Sequence, residues 1–192
     1  MVAPAIQAFL DRAWGELGLA RNTLAAYRAD LSRFEQWLRA RGRQEAGAIA
    51  ARRLFRRGEL DAATAALVAS FEEHRTAPFA SRAVLGRAVQ LTYEVAGGDA
   101  ARAKRLFDAL APPFSVLLLE EYRNQTRVSL ARKVGTHEAC VEALRPFETS
   151  PPWDDPTLSF RVTCYERAGH PLLRQAKDDL SDYRAMRPPT LE

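Results

Sequence analysis

Four pairs of adjacent acids, Glu72-Glu73, Glu120-Glu121, Asp154-Asp155 and Asp178-Asp179, are the residues of this 192-residue chain best suited by type to general acid and base chemistry. Their spacing argues against it. Neighbouring residues on a helix point about 100° apart, so two such carboxylates do not converge on one reacting atom and read as solvated charge. Three histidines, His74, His137 and His170, and two cysteines, Cys140 and Cys164, could ligate a metal. Cys164 and His170 lie across an expected turn, and no second pair accompanies them at zinc-site spacing. The two cysteines read as small buried hydrophobes on helical faces rather than as a disulfide. No glycine-rich phosphate loop and no G-x-S-x-G turn is present. The expectation is therefore no catalytic residue, no metal and no cofactor.

Arginine is the more informative residue type. Of the 28 basic residues 25 are Arg, and the formal net charge is +4. Base composition of the coding DNA is one reading, and a nucleic-acid partner is the other. The charge is segregated: residues 1–57 carry 11 Arg against 5 acids, whereas residues 58–192 carry a slight acidic excess. Arg39, Arg41 and Arg43 fall at one expected helix end, and Arg52, Arg53, Arg56 and Arg57 at the next. Cations there either match the helix dipole as solvated charge or contact phosphates.

The elements that must position these residues are helices. Ile6, Phe9, Leu10, Ala13, Trp14 and Leu17 recur at steps of three and four or their neighbours, as do Leu24, Tyr27, Leu31, Phe34 and Leu38. Gly18 ends the first stripe, Asn22 is the expected N-cap of the second, and Gly42 its expected stop. Beyond Gly42 a glycine turn recurs at Gly58, Gly98, Gly135 and Gly169, each between two helical stretches, with prolines at Pro78, Pro112-Pro113, Pro151-Pro152 and Pro188-Pro189 marking the joints. A hairpin cannot bury its apolar stripe alone, so neighbours stack, with small residues such as Ala63, Ala100, Ala103 and Ala139 at the contacts. The expected fold is all-α, a helical hairpin over 1–42 followed by about four stacked hairpins over 48–187. With 47% hydrophobic and 27% charged residues, disordered and collagenous classes are excluded.

Two resemblances sharpen this. Residues 6–42, with Phe9-Leu10-Asp11, Trp14, Asn22-Thr23-Leu24, Ala26-Tyr27-Arg28, Asp30-Leu31 and Trp37-Leu38, closely resemble the start of the core-binding domain of Xer-type tyrosine recombinases of the phage integrase family. The resemblance implies a helical clamp on duplex DNA with Thr23 and Arg28 on its DNA-facing side. The family's catalytic Arg, His-x-x-Arg and Tyr set cannot be assembled, since none of the three histidines has an Arg three residues on. Residues 48–187 resemble tetratricopeptide-like repeats: Gly58 with Ala63 and Leu67, and Gly98 with Ala103 and Phe107, fit that family's turn, while Gly135 and Gly169 depart from it. That resemblance implies a groove for a protein or peptide.

The resulting expectation is a non-enzymatic interaction module, a repeat scaffold carrying a truncated recombinase-like hairpin. The alternative is a DNA-binding accessory protein or inactive recombinase remnant. Asn22, Thr23, Tyr27, Arg28, Arg39, Arg41 and Arg43 are the candidate DNA contacts; Arg82, Arg87, Asn124, Arg127 and Arg161, polar residues on expected first helices, are the candidate groove. Residues 116–119 form the longest aliphatic run, too short to cross a membrane. The chain reads as cytoplasmic, with no membrane partner.

Overall fold

The computed structural model describes residues 4–76 and 80–186, and Pro78 and Pro188-Pro189 lie outside them. Among the described residues the chain is all-helical, with α1 (Pro4–Leu17), α2 (Arg21–Arg56), α3 (Leu60–Thr76), α4 (Arg82–Ala96), α5 (Ala100–Ala109), α6 (Glu120–Val134), α7 (His137–Leu144), α8 (Asp155–Ala168) and α9 (Leu173–Met186). Two 3-10 turns span Leu117–Leu119 and Arg145–Phe147. The first of these falls on the aliphatic run at 116–119 and leaves Leu117 and Leu118 exposed.

The largest departure from expectation is α2. Gly42 does not end a helix, and the stretch read as a second helix before Gly58 is the last part of the same 36-residue element. An interior glycine costs a helix about 1 kcal/mol, which local pairs and packing outweigh here. Arg39 bonds Glu35 and Arg41 bonds Glu45 one turn away, Arg43 reaches Glu73 on α3 at 3.0 Å, and buried Gln44 accepts a 2.9 Å bond from the Ser81 amide ahead of α4. Packing of the far half thus holds the helix straight through the glycine. Asn22 is likewise not a cap: α2 begins at Arg21, and its N-cap Ala20 supplies no side-chain bond.

The later punctuation is as the sequence reads, with one shift. Gly97 rather than Gly98 takes the positive φ in the α4–α5 turn, and Gly135 closes α6 in the left-handed conformation that an L side chain resists. Ser81, Asp99, Thr136 and Asp154 cap α4, α5, α7 and α8 by accepting bonds from amides three residues on. From α2 onward each helix packs on the next, and α2, α4 and α6 also lie side by side, as do α3 and α5.

One core results from this stacking. It runs from Ala51 through Leu67, Phe71, Leu85, Phe107, Leu130 and Leu144 to Tyr165 and Ala176, with alanines where helices approach. Within it Cys140 of α7 and Cys164 of α8 are buried as expected, but they are joined as a disulfide, with Cα atoms 5.8 Å apart. The pairing replaces the two free thiols expected from the sequence, because it depends on two helices meeting and no spacing along the chain encodes it. By contrast α1 packs on α2 through Leu10 and Ala13, and no side chain of α2 before Ala40 is fully buried. The result is a two-helix arm projecting from a helical stack.

Candidate nucleic-acid interface and helical groove

The arm carries the candidate DNA contacts, but not on one face. Asn22, Tyr27 and Arg28 are exposed and Thr23 is half-buried. Thr23 and Arg28 are five residues apart on a continuous helix and so point about 140° away from each other. Arg39, Arg41 and Arg43 are exposed too, yet each is paired with a glutamate, Glu35, Glu45 and Glu73 respectively.

The uninterrupted α2 assembles a different set. Arg21, Arg28, Arg39 and Arg53 are separated by seven, eleven and fourteen residues, each close to a whole number of turns, so all four project from one edge of a helix about 54 Å long. All four are exposed, and Arg28 and Arg53 have no partner among the described residues. Arg21 sits 6.0 Å from the half-exposed Trp14 ring of α1. The sequence marks Arg53 only as part of a basic helix end and Arg21 as part of a turn; with a stop expected at Gly42, nothing along the chain joins them to Arg28 and Arg39 on one edge.

The groove candidates divide. Arg82 and Arg87 are both exposed on α4, and Arg87 joins Arg41, Arg52, Ile49 and Leu91 around a cleft of about 290 Å³ between α2 and α4. Asn124 is half-buried with its Oδ1 sealed off and unbonded. Arg127 and Arg161 are not groove residues at all. Arg127 is 5% exposed, paired with Glu142 and stacked 4.3 Å from the Phe107 ring. Arg161 is 1% exposed and paired with Asp179 across the α8–α9 hairpin. Their position along the chain marks both only as polar residues on the first helix of a hairpin, whereas the inward faces of α6 and α8 bury them.

The acidic pairs are structural as well. Glu120 accepts from Arg123 at 2.7 Å and from the Phe114 amide at 2.9 Å, while Arg123 donates to the carbonyls of Leu110 and Ala111, so the pair fastens α6 to the end of α5. Burial pushes the Glu120 carboxyl upward, but the bonds from Arg123 and Phe114, with the Arg123 charge, outweigh it and hold the group below the ordinary range. Asp154 caps α8, Asp155 pairs with Arg184, and Glu72 with Arg75. Among the described residues no three acids, histidines or cysteines gather where a metal could sit. His74 is buried, donates through Nδ1 to the Ser70 carbonyl at 2.7 Å, and is pushed below its usual pKa by desolvation.

An all-helical molecule with a basic-edged helical arm is the class these features define. Residues 6–70, covering α1, α2 and most of α3, match the phage integrase N-terminal SAM-like domain. A 39-residue stretch is 62% identical to tyrosine recombinase XerD of Ralstonia nicotianae, 56% to that of Pseudomonas aeruginosa and 51% to that of Shewanella oneidensis. Each match covers 20% of this chain and 13% of the relative. No solved structure matches. The N-terminal part of the chain is thus recombinase-like, and the similarity reaches beyond Gly42 into α3. No described helix is long and apolar enough to cross a membrane.

Proposed function

We propose that this chain binds duplex DNA without catalysing strand exchange, through the arginine edge of α2. The carrying observation is the alignment of Arg21, Arg28, Arg39 and Arg53 on one exposed helix edge. Guanidinium groups spaced along a rod suit phosphates spaced along a duplex, and they position a protein without reading sequence. The recombinase-like N-terminal region supports the reading. Thr23, on another face, contributes little to the same contact. Binding by four phosphate contacts should weaken with salt at a log–log slope of about −3.6. A fluorescence-anisotropy titration of a labelled duplex at several salt concentrations measures that slope. Arg28→Glu with Arg53→Glu should lose binding at least about tenfold and flatten the slope by about 2. Unchanged affinity in that variant, with intact helicity, rejects the reading.

A second reading rests on the side-by-side α2, α4 and α6 and the cleft between the first two. A tetratricopeptide-like stack of this kind would present Arg41, Arg52, Arg82 and Arg87 to an acidic peptide. Charge reversal at Arg87 separates the two readings, because Arg87 lies off the α2 edge and should leave DNA affinity unchanged.

A further inference from the structure

The arm has a second exposed face, which the DNA reading leaves unused. Along α2, Leu24, Tyr27, Leu31, Phe34 and Leu38 follow alternating steps of three and four, the spacing of a helix–helix seam. Leu24 and Leu31 are half-buried, but Tyr27 is 44% exposed, Phe34 54% and Leu38 49%. Phe9, 50% exposed on α1, stands about 140° round that helix from Trp14, whose ring meets Arg21 at the arginine edge, and so falls on the flank away from that edge. The arginine edge is about a quarter-turn of α2 away, so both faces can be engaged at once.

We infer that this face pairs with the same face of a second copy of the chain, two α1–α2 hairpins closing into a four-helix bundle. Three observations select that occupant. The first is area: three half-exposed aromatics and one leucine present about 400 Å² per copy, hence about 800 Å² for two. The half-buried Ile6, Leu24 and Leu31 beside them raise that to the roughly 1,000 Å² a specific interface needs. Self-complementarity is the second: a two-fold contact sets a patch against itself, and the seam from Tyr27 to Leu38 carries no charge. An antiparallel two-fold centred on Leu31 puts Leu24 opposite Leu38 of the second copy and Tyr27 within one residue of Phe34 of the second copy. Charge is the third. Parallel pairing would set Asp30 of one copy against Glu35 of the other, whereas antiparallel pairing sets Glu35 near Arg28 of the other copy on one flank, and the two Asp30 side chains on the other flank are each neutralised by Arg33 of their own helix.

The test is the solution mass of the full chain without DNA, so its outcome is separate from that of the DNA reading. Light scattering on a sizing column, loaded at about 100 μM, should give twice 21.4 kDa for the wild type and 21.4 kDa for Phe34→Glu with Leu38→Glu. Both substituted side chains are already half in water, so the fold should survive, as circular dichroism checks. As a second measurement, Leu31→Cys, at the two-fold centre, should cross-link copies under mild oxidation while a cysteine at exposed Ala29 should not. A monomeric wild type at that concentration, a double variant that stays dimeric, or cross-linking at Ala29→Cys but not at Leu31→Cys would each overturn the inference.

Discussion

Arg161 shows what many of these arginines do. Its guanidinium lies among α8 and α9, bonds Asp179 and sits 5.5 Å from the Tyr165 ring, while Nε and Nη2 find no acceptor. Breaking such a buried pair from one side leaves an uncompensated charge, whereas replacing both partners by apolar groups does not. Arg161→Ala should therefore cost about 3 kcal/mol in denaturant unfolding, and Arg161→Met with Asp179→Leu should recover most of that. His74 makes a pH-dependent contribution of opposite logic. Desolvation holds its folded pKa below the ordinary 6.5, against weaker opposing pulls from the Ser70 carbonyl and Glu73. The unfolded chain takes up a proton near 6.5 that the folded chain refuses, so this share of stability is complete above that pH and declines as pH falls towards the depressed value. The unfolding midpoint should drop between pH 7.5 and 5.5 more in the wild type than in His74→Gln.

At the scale of elements, α2 is the decisive one. Because Gly42 sits in an uninterrupted helix with nothing within 4 Å of where a Cβ would stand, Gly42→Ala should stabilise the protein by about 0.5–1 kcal/mol. Gly135, at φ 77°, has open space too but the wrong backbone for an L residue. Gly135→Ala should destabilise by about 1 kcal/mol. Thermal unfolding of the two variants gives shifts of opposite sign if α2 is continuous, and of the same sign if Gly42 ends a helix. The sequence could mark both glycines, but not tell them apart. Their difference lies in the residues C-terminal to each: Gln44 and Ala51 are held against α3 and α4, whereas Thr136 after Gly135 starts a new helix as its cap.

For the whole molecule, the Cys140–Cys164 disulfide joins the third hairpin to the fourth and closes a loop of 24 residues. Cross-linking a loop of this length limits the unfolded chain by about 3 kcal/mol. Cys164→Ser, or a reducing agent, should lower the melting temperature, and the two should not add. The molecule also accounts for its own arginine content. Arg75, Arg123, Arg127 and Arg161 bind carboxylates or carbonyls between helices of the stack, while Arg21 and Arg28 on the arm and Arg53 on the packed half of α2 stand in solvent. Those two uses read alike along the chain, since both appear as arginines on helices.

Local features are what the sequence determined: helical periodicity, the turns at Gly58, Gly135 and Gly169, and the recombinase-like stretch from residue 6. Each depends on interactions between residues a few positions apart, or on similarity carried by consecutive residues. Tertiary structure alone decided that α2 passes through Gly42, that four arginines share one edge, that Arg127 and Arg161 face inward, and that two cysteines meet. Each of those is set by which helix faces which across the stack, and side chains tens of residues apart contribute to it only once the chain has packed.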